Sequence, residues 1–87
     1  MTIEISYTRR FSKRFSKYDK RFQEIIAARI EEFKNPVNHE PLRVHKLHGQ
    51  MNGLWSFSVD YHTRVVFIFL SKTEAALLTI GDHEVYD

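Results

Sequence analysis

The sequence predicts an α+β fold in which one small antiparallel sheet is packed by a two-helix hairpin, in the order β-α-α-β-β-β. Two observations carry this expectation. Apolar residues between Phe11 and Phe33 recur every three or four positions, the period of a helix face. From Trp55 onward they alternate with polar residues or run together, the patterns of half-buried and fully buried strands. The 87 residues, 43% of them hydrophobic, suffice for one core and not two, so residues 1–87 form a single domain in this reading.

Thr2 to Ser6 places Ile3 and Ile5 between polar neighbours and opens the chain with a short strand. Thr8 suits the N-cap of a first helix, in which Phe11, Phe15 and Tyr18 form the apolar stripe while Arg9, Arg10, Lys13, Arg14 and Lys17 take the other faces. Asp19 caps a second helix with Phe22, Ile25, Ile26, Ile30 and Phe33 on its stripe, ending at Asn35–Pro36 because proline disfavours helix in the residue before it. Residues 35–41 read as loop. Residues 42–47 read as extended, without requiring a regular strand. Trp55, Phe57 and Val59 alternate with Ser56, Ser58 and Asp60, predicting a strand with one buried and one polar face. Arg64 to Leu70 is apolar after its first residue, which predicts a central strand covered on both faces. A turn over 71–74 and a last apolar strand over 75–80 complete the sheet, before Gly81 breaks it.

The chain contains no cysteine, which excludes disulfides, thiolate chemistry and cysteine-based metal centres. Its longest apolar run, Val65 to Leu70, is far shorter than the ~20 residues of a membrane span, so the expectation is a cytoplasmic protein. Charge is uneven: residues 1–48 hold 11 of the 13 Lys and Arg against 6 of the 11 acids. Seven bases fall between Arg9 and Arg21 with Asp19 as the sole acid, a density suited to phosphates or an acidic protein. A solvated helix face is the competing explanation. The aromatics of this helix fall at core spacing, so they pack rather than stack on bases.

Five histidines stand at 39, 45, 48, 62 and 83, in loops and at strand ends. Imidazole exchanges protons near neutral pH, and histidines facing an arginine suit phosphodiester cleavage: one group removes a proton, another protonates the leaving oxygen, and the cation holds the charged phosphate oxygens. Each histidine alone is explained as a solvated surface group. His45 and His48 with His62 or His83 could instead be a metal site, although the helical His-Glu-x-x-His pattern is absent. No cofactor is implied. Arg64 opens the most apolar strand and can aim a guanidinium into a cleft from a rigid element. Its alternative is a salt bridge with Asp60 or Asp82.

Several segments in order resemble one family. They are Ile5 to Lys13 with Tyr7, Thr8 and Phe11, then Glu40-Pro41-Leu42, His45-Lys46-Leu47-His48-Gly49 and Gly53-Leu54-Trp55-Ser56. Tyr61-His62-Thr63-Arg64-Val65-Val66-Phe67 and Gly81-Asp82-His83-Glu84-Val85-Tyr86 complete the series. Together they resemble the RelE/ParE superfamily of small bacterial toxins from type II toxin–antitoxin systems, over nearly the whole chain.

The resemblance implies a ribosome-dependent mRNA endoribonuclease, acting without metal by attack of the ribose 2′-hydroxyl on the adjacent phosphate and so inhibiting translation. By position, His45 is similar to a catalytic histidine of the YafQ branch and Arg64 to the phosphate-stabilising arginine of the YoeB branch. His83 and Tyr86 match a C-terminal pair, the histidine as general acid and the aromatic residue as a stacking or positioning group. His62 falls where YafQ-like proteins carry an acid, and Glu40 resembles an acid used as base in the YoeB branch. Many ribonuclease members carry Arg or His where this chain has Phe57 and Ser58; Arg43 and Lys46 are the candidates to replace them. The nucleic-acid surface expected is Arg9, Arg10, Lys13, Arg14, Lys17, Arg43 and Lys46. Implied partners are the ribosome with mRNA and an acidic antitoxin wrapped over helices and cleft. The free toxin would be a monomer that assembles further with the antitoxin. Two rivals are a ParE-like DNA gyrase inhibitor without chemistry, against which the five histidines count, and a degenerate toxin that only binds antitoxin.

Overall fold

The first helix is set by one hydroxyl. Thr8 Oγ1 accepts from the Phe11 amide at 3.1 Å and donates to the Leu78 carbonyl at 2.7 Å, so the residue that caps the helix also ties it to the last strand. These contacts belong to a computed structural model, which describes residues 1–49 and 53–82. The element order is β1 (Glu4–Tyr7), α1 (Arg9–Phe15), α2 (Lys20–Phe33), a 3-10 turn (Pro36–Asn38), β2 (His45–Lys46), β3 (Trp55–Ser58), β4 (Arg64–Ser71) and β5 (Glu74–Gly81).

Asp19 caps α2 as expected, its carboxylate accepting from the Phe22 amide at 2.8 Å. Gln23 closes the helix hairpin by donating its amide to the Phe15 and Tyr18 carbonyls at 3.2 and 2.9 Å, satisfying groups left open beyond the end of α1. At the other end of α2, Glu31 lies 2.6 Å from the Lys34 ammonium and by that hydrogen bond holds it above the usual lysine range.

The α+β arrangement is as the patterns predict, with two differences in the sheet. It has five strands in the order β1-β5-β4-β3-β2, and β1 runs parallel to β5, so the sheet is mixed rather than antiparallel. The parallel pair joins the first and last strands across the whole chain, a pairing that no local pattern encodes. The strand added to the expected four is β2, two residues long, where the sequence called only for extended chain.

Under α2 the core is aromatic. Phe33 stacks on Phe57 with centroids 4.6 Å apart and meets Phe67 edge-on at 4.8 Å, while Ile26, Ile30, Val65, Leu77 and Ile80 close around them. β4 is the middle strand and is buried on both faces at Val65, Val66 and Phe67, although Leu70 at its end is exposed. Ser56 is fully buried, so β3 lacks the wholly polar face its alternation suggests.

Candidate active site

Register arranges the chemistry-bearing residues on the sheet face away from the helices. Residues directly opposite in a ladder share a face. His45 pairs with Ser56, Ser56 with Val66 and Val66 with Thr79, which makes one row across four strands. The next row, towards the β3–β4 turn, is Ser58, Arg64 and Gly81. Ser56, Val66 and Thr79 are buried, Ser58 and Arg64 half-buried and His45 exposed. The Thr79 hydroxyl is buried without a partner among the described residues. Two strand spacings and one two-residue step separate His45 from Arg64, roughly 12 Å between backbones.

The His45 ring has a defined polarity. Its Nδ1 lies 2.7 Å from the Arg43 carbonyl, and a carbonyl only accepts, so Nδ1 carries the proton. In the neutral ring Nε2 then keeps its lone pair and can take a proton from a substrate.

Arg64 is held by its own turn. One terminal nitrogen donates to the carbonyls of Asp60 at 2.8 Å and Tyr61 at 3.1 Å. Asp60 does not form the salt bridge considered for it, because its carboxylate accepts the amides of His62 and Thr63 at 2.9 and 2.8 Å. The remaining guanidinium donors of Arg64 have no partner among the described residues, and the fixed end leaves them preorganised for an anion. Arg64 also lines a cleft of about 510 Å³ with Arg29, Arg43, Ser58, Asp60 and Tyr61.

Arg29 is a member of this cleft that the sequence reading missed. Its Nε donates to the Val59 carbonyl at 3.1 Å and its terminal nitrogen pairs with Glu32 at 3.1 Å. A signal existed: Arg29 stands three residues after Ile26 and four before Phe33, inside the apolar stripe, where a charge is out of place unless something recruits it.

Other expectations are redistributed. Lys46 pairs with Trp55 and so belongs to the helix-side face, away from His45 and Arg64. Phe57 is fully buried core, and only Ser58 of that pair lies on the site's face, beside Arg64. His62 is exposed at the β3–β4 turn with its ring edge-on to Tyr61 at 5.1 Å. Glu40 is exposed in the turn before β2. His39 is structural: its Nε2–H donates to the Phe33 carbonyl at 2.8 Å and its ring stacks on Phe33 at 4.8 Å. Among the described residues no three His, Asp or Glu side chains converge as a metal-binding set. His83 and Tyr86 lie outside the described residues.

The basic stripe forms a second surface. Arg10, Lys13, Arg14 and Lys17 line a shallow groove of about 390 Å³ with Tyr18, and Arg9 is exposed nearby. Because α1 packs against β5 on the helix side, these bases are not brought together with His45 and Arg64. An apolar groove of about 310 Å³ opens between the helices, lined by Tyr7, Phe11, Phe15, Ala27 and Ile30. No helix among the described residues is long and apolar enough to cross a membrane.

No protein-family model and no curated protein sequence matches the chain. Solved structures do. A chain of the Escherichia coli DinJ–YafQ toxin–antitoxin complex superposes with a TM-score of 0.73 at 17% identity, covering 98% of this chain and 97% of that one. A chain of the archaeal RelE–RelB complex from Pyrococcus horikoshii gives 0.71 at 17% identity, covering 94% and 96%. A chain of the RelBE2 toxin–antitoxin complex from Mycobacterium tuberculosis gives 0.68 at 20% identity, covering 95% and 100%. With its two helices over a five-stranded sheet, the chain has the RelE-like toxin fold of these complexes.

Proposed function

We propose that this chain is the toxin of a type II toxin–antitoxin pair and cleaves mRNA on the ribosome. The observation that carries the reading is the pairing, on one sheet face, of a histidine whose Nε2 is available as a base with an arginine whose guanidinium is held at one end and open at the other.

In the reaction, His45 Nε2 takes the proton of a ribose 2′-hydroxyl and the 2′-oxygen forms a bond to the adjacent phosphorus. The bond from phosphorus to the 5′-oxygen breaks, and that oxygen leaves with a proton from a general acid, a role the resemblance gives to His83. Arg64 stabilises the charge that builds on the non-bridging oxygens, while Arg43 and Arg29 extend the positive surface along the cleft. His62 and Tyr61, exposed at the β3–β4 turn, orient flanking nucleotides, and the resemblance gives Tyr86 a similar stacking role. The products are a 2′,3′-cyclic phosphate and a 5′-hydroxyl.

The α1 bases, on the other side of the molecule, hold ribosomal RNA by charge while the cleft holds mRNA. The apolar groove between the helices suits an antitoxin segment. The test is purified chain on programmed ribosomes with end-labelled mRNA. Ribosome-dependent cuts bearing cyclic phosphate ends support the reading, and intact mRNA under saturating protein refutes it.

A further inference from the structure

Arg43 is the only non-glycine residue among those described with a left-handed backbone, at φ 57°. The turn it occupies explains why. The Val44 amide donates to the His39 carbonyl at 2.9 Å and the Arg43 amide to the Glu40 carbonyl at 3.0 Å. This nested pair is the Schellman closure of a helical turn, and it requires a left-handed residue at the position of Arg43, where glycine is ordinarily found. A side chain there is strained, and strain that persists at a site invites a functional reason.

The left-handed turn fixes where the Arg43 carbonyl points, and it points at His45 Nδ1, 2.7 Å away. We infer that Arg43 is a positioning residue for the proposed reaction: its left-handed backbone locks His45 in the Nδ1–H tautomer and so makes Nε2 the basic nitrogen. The inference rests on the ribonuclease reading for its purpose but not for its test. The lock is short-range, because Arg43 and His45 are two residues apart and the closing bonds come from His39 and Glu40. His39 is itself held by Phe33 through both a hydrogen bond and ring stacking. The chain from the core to the base is therefore continuous: Phe33, His39, the turn, Arg43, His45.

Glycine at position 43 keeps the turn and the carbonyl while deleting the guanidinium. Valine, β-branched, disfavours the left-handed region and loosens the carbonyl while also deleting the guanidinium. The experiment is long-range 15N–1H NMR of the His45 ring at a pH where it is neutral, in the wild-type chain, Arg43→Gly and Arg43→Val, with amide spectra verifying that each is folded. The wild type and Arg43→Gly should show the proton on Nδ1, and Arg43→Val should shift population to Nε2–H. A neutral wild-type ring protonated on Nε2, or identical tautomers in glycine and valine variants, would overturn the lock. Ribosome-dependent cleavage, read in parallel, reports separately on the function. If the tautomers behave as expected and no variant nor the wild type cuts mRNA, the lock stands and the ribonuclease reading falls. If both hold, Arg43→Val should cut more slowly than Arg43→Gly, because both lack the side chain and only valine releases the ring.

Discussion

At the scale of single residues, backbone and register decide which groups can act together. Arg43 shows the cost of a function placed on a turn: a left-handed non-glycine residue is disfavoured by about 1 kcal/mol or more. Arg43→Gly should therefore raise the unfolding temperature by about 4–8 °C, measured by calorimetry, as a relief of ~1 kcal/mol does in a domain of this size. An unchanged or lower value would mean that the Arg43 side chain contributes as much in contacts as its backbone loses in strain. The sequence made His45 and Arg64 visible because chemistry-bearing residue types stand at strand starts. The alternation of Trp55, Phe57 and Val59 with Ser56 and Ser58 put Phe57 in the core, but it could not reveal that Ser56 on the other face is buried too. Arg29 was hinted at by its place inside an apolar stripe, but its partner, the Val59 carbonyl, lies thirty residues away in sequence and no local pattern names it.

Whole elements were more legible than their pairing. Thr8 and Asp19 cap the helices they were expected to cap, because the N-cap depends on a side chain three residues from its amide partner, well within the reach of local sequence. Asp19→Ala should lose about 1 kcal/mol of stability in urea unfolding, with little change in the denaturant slope. A loss within error would show that Gln23 alone holds the hairpin. The parallel β1–β5 pair and the two-residue β2 were illegible, since both are set by long-range contacts and the second is too short to carry a period. The separation of α1 from the site makes its bases testable on their own. Arg10→Glu with Arg14→Glu should weaken ribosome binding and flatten its dependence on salt, by roughly 0.7–0.9 in log–log slope for each phosphate contact removed. Unaltered affinity would assign the stripe to the antitoxin or to solvent.

Across the whole molecule, the sheet works as a partition. Its helix side holds the aromatic core, the basic stripe and the apolar groove, and its other side holds His45, Ser58 and Arg64. The Cα radius of gyration is 12.0 Å, which matches the ~12 Å expected of a globular chain of this length. The proposed binding surface and the proposed catalytic surface thus lie on opposite faces of a very small protein. The central claim is that the second face cleaves RNA, and the most direct test is to induce the chain in bacteria and map mRNA ends by primer extension beside His45→Ala. A gyrase supercoiling assay on the same cells covers the non-enzymatic rival. The account predicts cuts within translated codons, with normal supercoiling, and a loss of about 10²–10⁴-fold in cutting by the folded mutant. Growth arrest with intact mRNA and inhibited supercoiling, or undiminished cutting by His45→Ala, would contradict it.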